Sequence, residues 1–157
     1  MDFTAGVYLE DTATAVIGGS AKIEVTEADK HIDVGVFGVR MAGQSLTISG
    51  DPVISATLSL TEPPAAGETY NVYGIDVQSG SLTVEGAPQV SATNTTAYGC
   101  AVGLHVADGA SAVVRGGDYT GTAQSNEGYG LQAAGTGLLE NLSGGTFSGN
   151  KGSVAAD

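Results

Sequence analysis

Apolar and polar residues alternate along this chain with a period of two, in short runs broken by glycine, and the runs recur. Gly6, Gly38, Gly74, Gly103 and Gly130 open the same phrase five times: Gly-Val-Tyr-Leu, Gly-Val-Arg-Met, Gly-Ile-Asp-Val, Gly-Leu-His-Val and Gly-Leu-Gln-Ala. The first and third residues after each glycine are apolar (Val7/Leu9, Val39/Met41, Ile75/Val77, Leu104/Val106, Leu131/Ala133) and those between are mostly polar, the pattern of a strand with one buried face. A second strand follows a turn of small residues, at 45–48, 81–84 and 112–114, and a third segment near Ile54, Val90, Tyr119 and Phe147 completes each copy. No stretch shows helical periodicity.

A second glycine follows the first by 12 residues in three copies (Gly18, Gly50, Gly86), by 13 in the fourth (Gly116) and by 14 in the fifth (Gly144). The opening glycines themselves are 32, 36, 29 and 27 residues apart. The inner block is therefore nearly constant, and loops after it absorb the variation. Three short strands per unit with glycines at the corners predict an all-β solenoid of about five rungs, one domain over 1–157. Stacking at about 4.8 Å would place equivalent side chains above one another, so that the inward aliphatics form a continuous core stripe. Period two carried back through the glycine also sends Ala5, Phe37, Tyr73, Val102 and Tyr129 inward, where rings would stack along the axis.

Composition narrows the classes. Of 157 residues 41% are apolar and only 14% charged, enough material for a core and too little charge for disorder. Seventeen acidic against five scattered basic residues give a net charge of −12, which excludes a nucleic-acid partner, since phosphate binding needs clustered Lys and Arg. The single cysteine, Cys100, excludes an internal disulfide, and no apolar run approaches the roughly 20 residues of a membrane-spanning helix. The first residues carry no basic or apolar leader, which predicts either an intracellular protein or, the reading favoured here, a piece of a longer exported chain with its signal elsewhere. Open solenoid ends expose strand edges, so end-to-end self-association is expected unless loops or a neighbouring copy cover them.

The later rungs, Asp-Gly-Ala-Ser-Ala-Val-Val-Arg-Gly-Gly-Asp-Tyr-Thr-Gly at 108–121 and Leu-Ser-Gly-Gly-Thr-Phe-Ser-Gly-Asn at 142–150, resemble the parallel β-helix repeats of the pectin-lyase-like superfamily. More narrowly they resemble the Gly-Gly-Thr-Phe-Ser-Gly repeats of large bacterial cell-surface proteins. The resemblance implies a right-handed coil and an extracellular or cell-surface location. It spans lyases, hydrolases, adhesins and inert stalks, so it implies fold more strongly than function.

The residues favour a non-catalytic module, adhesin-like or a structural stalk, over a lyase-like or hydrolase-like enzyme. The Asn-Thr-Asp, Asp-Asp, Gly-His-Gly and Arg-Ile-Lys segments of polygalacturonase-like hydrolases are absent. Lyase-like chemistry needs a basic residue beside an acidic one on one face, and the outward column of Tyr8, Arg40, Asp76, His105 and Gln132 supplies a partial match in Arg40, Asp76 and His105. Arg115 with Asp118 is a second pair. His31 and His105 lie far apart with no cysteine beside them, so no zinc ligand set is read, and no cofactor is expected. Glu24, Glu27, Asp29 and Asp33 form an acidic run whose ordinary role is solvated loop charge and whose alternative is weak Ca²⁺ binding. Cys100, among small residues, reads as an inert thiol. Asn94-Thr95-Thr96 and Asn141-Leu142-Ser143 fit the glycosylation pattern, which arises often by chance.

Loops carry specificity where the rungs are committed to stacking. Residues 57–71, with Pro63-Pro64 and Tyr70, form the longest insertion, and 93–98 and 123–129 are polar loops expected on the same side of the stack. Tyr70, Tyr98 and Tyr8 are the aromatic residues left for a polysaccharide or host-surface glycan. An ice- or crystal-binding face needs flat threonine ranks, which the column from Tyr8 to Gln132 does not provide.

Overall fold

In the computed structural model, which describes residues 3–28, 35–66, 68–135, 138–140 and 144–156, each repeat closes one turn of a coil. The first rung is β1 (Phe3–Glu10), β2 (Thr14–Ile17) and β3 (Lys22–Glu27); the second is β4 (Gly35–Ala42), β5 (Ser45–Ile48) and β6 (Val53–Leu58). The third is β7 (Val72–Val77), β8 (Ser81–Val84) and β9 (Gln89–Asn94), and the fourth β10 (Ala101–Val106), β11 (Ser111–Val114) and β12 (Asp118–Ala123). The fifth is β13 (Gly128–Ala133), β14 (Leu138–Glu140) and β15 (Thr146–Gly149), and β16 (Gly152–Ala156) adds a further strand. Equivalent strands pair in parallel to give three sheets: A, β1-β4-β7-β10-β13-β16; B, β14-β11-β8-β5-β2; and C, β15-β12-β9-β6-β3. The molecule is an all-β parallel solenoid of about five three-strand rungs. Strand β16 is absent from the repeat pattern because Ser153 stands where the earlier copies have their opening glycine.

The inward columns follow the alternation. Val39, Ile75 and Leu104 lie in register with no exposure, as do Ile48 and Val84 in sheet B and Ile54 and Val90 (3% exposed) in sheet C. Each fully buried aliphatic of this size contributes about 1.5–3 kcal/mol. In the later rungs Tyr119 and Phe147 take over the Ile54–Val90 column, their rings stacked 5.0 Å apart at 17°.

The residues before the opening glycines are in part buried as expected, Phe37 at 1% and Val102 at 0% exposure, but not in the interior columns. Phe37, Tyr73 and Val102 belong to neither core cluster, and the Arg40 guanidinium lies 4.6 Å from the Phe37 ring centroid on the outer face of sheet A. The alternation resets at the glycine. A Cβ on Gly38 would lie 2.6 Å from Ile54 Cγ2 and one on Gly74 2.5 Å from Val90 Cγ1, so the glycine faces the interior and so does the residue after it. Ladder pairing passes over these glycines, from Phe37↔Tyr73 to Val39↔Ile75. Two consecutive inward positions turn the preceding residue outward, and the aromatic stack of Phe37 on Tyr73 (5.4 Å, 13°) forms on the outside of the coil.

The Tyr119 hydroxyl donates to Gly116 O at 2.9 Å, which satisfies it without water. Burial holds this phenol well above its ordinary value near 10, and burial, then the neighbouring Cys100 and Asp76, does the same for Tyr73. Both keep their protons in the fold while the unfolded chain ionises. Stability is therefore fully present below about pH 10 and falls above it by about 1.4 kcal/mol per pH unit per tyrosine. Denaturation at several alkaline pH values should show this slope, reduced by one tyrosine's share in Tyr119→Phe; an unchanged slope would remove Tyr119 as its source.

Candidate functional site

Sheet A brings the predicted outward column together. Arg40 pairs with Asp76, and Asp76 with His105, across three successive rungs. His105 Nδ1 lies 2.6 Å from Asp76 Oδ1, and Gln78 Nε2 donates to Oδ1 and Oδ2 at 2.8 and 2.9 Å. Arg40 Nε stands 3.8 Å from Asp76 Oδ2. At that distance the two attract as charges without a hydrogen bond, and Arg40 Nε is a buried donor that no acceptor meets. Aromatic rings wall the cluster. Arg40 lies 4.7 Å from the Phe3 ring centroid as well as against Phe37, and Tyr73 packs at 5.0 Å on the His105 ring.

This geometry makes Asp76, with a side chain 1% exposed, the shared acceptor of a clamp between rungs. Its oxygens are engaged from within the fold. Gln132 continues the column beside His105 in the next rung, while Tyr8 begins it, 43% exposed and edge-on to Phe3 at 5.1 Å. Arg115 and Asp118 do not pair: Arg115 Nη1 reaches Glu85 Oε1 at 3.9 Å, both largely exposed, and Asp118 Oδ2 accepts from Gln89 Nε2 at 2.9 Å.

A second site forms where the chain passes from sheet C toward sheet A. Leu60, Thr61, Thr95, Thr96, Ala97, Tyr98 and Gln124 line a groove of about 250 Å³. Its residues come from the three loops singled out in the sequence, which therefore do share one side of the stack. Tyr98 is 42% exposed. Tyr70 is not available: it is 1% exposed, packs into the smaller core cluster with Val72 and Leu58, and its hydroxyl donates to Pro63 O at 3.4 Å. The insertion of 57–71 folds its tyrosine under the coil instead of presenting it. Tyr8 lies in the first rung and Tyr98 in the loop leaving the third.

Asn94 sets the shape of this groove, and the sequence reading missed it as a structural residue. Its Nδ2 donates to Tyr70 O at 2.8 Å and Tyr98 O at 2.9 Å, while its Oδ1 accepts from Thr96 N at 2.9 Å and Thr96 Oγ1 at 2.7 Å. A side chain 1% exposed and so fully engaged is closed to glycosylation. The signal was available: Val90, Ala92 and Asn94 are successive inward positions, and a polar residue there must find partners inside. The second such motif, at 141–143, lies outside the described residues, as does His31.

Within the acidic run, Glu24 and Glu27 do not converge. Glu24 and Glu27 are on β3, on opposite faces: Glu24 points out and contacts Lys22 at 3.1 Å, whereas Glu27 lies in register with buried Leu58 and accepts from the Thr4 hydroxyl at 2.7 Å. Asp29 and Asp33 lie outside the described residues. Among the described residues no group of three or more His, Cys, Asp or Glu is placed to hold a metal ion. Cys100 Sγ lies 3.3 Å from Asn71 Oδ1, half-buried under the loop. Among the described residues no helix is long and apolar enough to cross a membrane.

The fold defines the class: a parallel β-solenoid, consistent with the pectin-lyase-like superfamily. Comparison with protein-family models, with curated proteins and with solved structures gave no significant match.

Proposed function

We propose that this chain is a non-catalytic, carbohydrate-contacting module of a bacterial surface or secreted protein, adhesin-like in use, with the Tyr98 groove as its contact site. The observation that carries the reading is the composition of that groove. An exposed ring stands beside Thr61, the Gln124 amide and Thr95, whose hydroxyl donates to Leu58 O and keeps its acceptor capacity, with no charged side chain in the lining; Thr96, 3% exposed, is committed to Asn94. Sugars present an apolar face and hydroxyls, and a ring flanked by neutral donors and acceptors meets both. The Gly-Gly-Thr-Phe-Ser-Gly character of the fifth rung supports the surface location.

Acid–base chemistry of a lyase-like or hydrolase-like kind has one observation in its favour, the 2.6 Å contact of His105 with Asp76. Against it stands the engagement of Asp76 from three sides.

Depletion of the protein by insoluble plant, microbial and mucin polysaccharides, with and without calcium, tests the reading. Selective retention is expected, lowered at least about tenfold in Tyr98→Ala, which corresponds to roughly 1.4 kcal/mol. Retention unchanged in that variant would dismiss the groove, and retention by no matrix would leave a stalk.

A further inference from the structure

The outer face of sheet C carries two ranks of hydroxyls. Ser55, Ser91, Thr120 and Ser148 stand in register in one column, and Thr26, Thr57, Thr93 and Thr122 in the next. All eight are exposed or half-exposed. Residues two apart on a parallel strand lie about 6.6 Å apart on one face, and equivalents on neighbouring strands about 4.8 Å, so the hydroxyls form a regular two-dimensional array. Thr120 Oγ1 and Ser148 Oγ, 3.2 Å apart, hydrogen-bond along the column. No ionisable side chain interrupts the ranks from the second rung to the fifth. Glu24 continues the serine column only in the first rung, where Lys22 accompanies it.

The array runs into the groove. Thr95 and Gln124 occupy the next outward positions beyond Thr93 and Thr122, held in step by Thr95 N donating to Leu58 O at 3.1 Å and Gln124 N to Asn94 O at 2.9 Å. Both line the groove beside Tyr98. Sheet A offers nothing comparable, its outer column being Tyr8, Arg40, Asp76, His105 and Gln132; sheet B carries one hydroxyl column, Thr14, Ser45, Ser81 and Ser111, but in the column beside it Val16 and Val113 flank Thr47 and Thr83, so only sheet C has two unbroken ranks.

We propose that this face and the Tyr98 groove together form a track for an extended, uncharged polysaccharide lying along the solenoid axis. The inference rests on the carbohydrate reading of the groove and adds the ligand's charge class and path. Each hydroxyl donates one hydrogen bond and accepts others, as each sugar hydroxyl does, so successive rungs meet successive sugars with the same chemistry. Charge selects the class. A chain of net charge −12 repels a polyuronate or a phosphate-bearing polymer, and the ranks contain no cation to offset that repulsion.

The test uses neutral insoluble polysaccharides (cellulose, chitin), polygalacturonate and their soluble oligomers of increasing length, with Tyr98→Ala and Thr57→Val/Thr93→Val. The valines keep side-chain shape and strand preference while removing two hydroxyls; the single Thr93→Val serves if the pair melts below the parent protein. Retention on the neutral matrices, an affinity that rises with oligomer length, and a loss of at least about fivefold in the valine variant at unchanged melting temperature are expected. Loss in Tyr98→Ala with none in the valine variants, or an affinity that stops rising at short oligomers, would confine the glycan to the groove and overturn the track. Equal retention on polygalacturonate would overturn the charge class. If neither variant lost retention the groove reading itself would fail, and adsorption to ice without retention on any polysaccharide would assign the ranks to a frozen surface instead.

Discussion

Gly103→Ala is expected to destabilise the protein by about 3 kcal/mol or more, at or above the upper end for an overpacked interior. The added Cβ would lie 2.8 Å from Gly130 O, 2.8 Å from Thr120 N and 2.9 Å from Tyr119 C. All three are backbone atoms, on β13 and β12, fixed by ladder hydrogen bonds on both sides, so none can yield as a flexible side chain would. A fall in the denaturant midpoint with unchanged slope would measure the loss. Gly109→Ala is the control, since nothing lies within 4 Å of its Cβ but its φ is +80°. There the cost is the backbone conformation alone, about 1 kcal/mol. Equal losses at the two sites would mean that the bend before the inward aliphatics is not sterically closed.

Asp76→Ala should cost about 3 kcal/mol, the lower part of the range for breaking a buried ion pair, because Arg40 and His105 keep 16% and 13% exposure. The substitution leaves His105 Nδ1 and Gln78 Nε2 without their acceptor and removes the charge nearest the unmet Arg40 Nε. Asp76→Asn, which keeps one acceptor oxygen, should fall between. The double variant Asp76→Leu/His105→Leu should be more stable than Asp76→Ala, since it withdraws His105 together with its acceptor and refills the space with apolar side chains, leaving only Gln78 and Arg40 without the carboxylate. Thermal melts of the three variants decide the matter. A double variant no better than the single one would mean that packing against Tyr73, and not the orphaned partners, sets the loss.

The rungs were legible because the constraint that makes them is local and repeats. A strand buried on one face must alternate, and Val39/Met41, Ile75/Val77 and Leu104/Val106 do so at fixed distance from a glycine. The role of that glycine was not legible in the same way. Whether it continues the alternation or resets it depends on Ile23, Ile54 and Val90 from the third strand of the rung, which occupy the space a side chain would need. Phe37 and Tyr73 were misplaced for this reason alone. Tyr70 was misplaced because a loop residue after Pro63-Pro64 has no period from which to read its direction. The groove was legible as loops and, among its residues, in Tyr98 alone: it draws on the three segments expected, but Asn94, which fixes its wall, carries the pattern of a glycosylation motif. The two hydroxyl ranks lie on the third strand of each repeat, whereas the column from Tyr8 to Gln132 lies on the first and says nothing of them.

Loops after the third strand differ widely in extent, 59–71 after β6, 95–100 after β9 and 124–127 after β12, while the corners within a rung stay tight. Each of these segments leaves and re-enters the coil at a stacked position, so its length is not felt by the ladder above or below. Such an arrangement uncouples two kinds of heritable change. Substitutions in a rung are tied to their neighbours along a column, whereas the sequence between rungs can lengthen, shorten or be exchanged with little effect on whether the chain folds. A peptide grafted at 62–69, beyond the groove residues Leu60 and Thr61, would sit beside the groove on an intact trunk, with Tyr70 kept as its aromatic anchor.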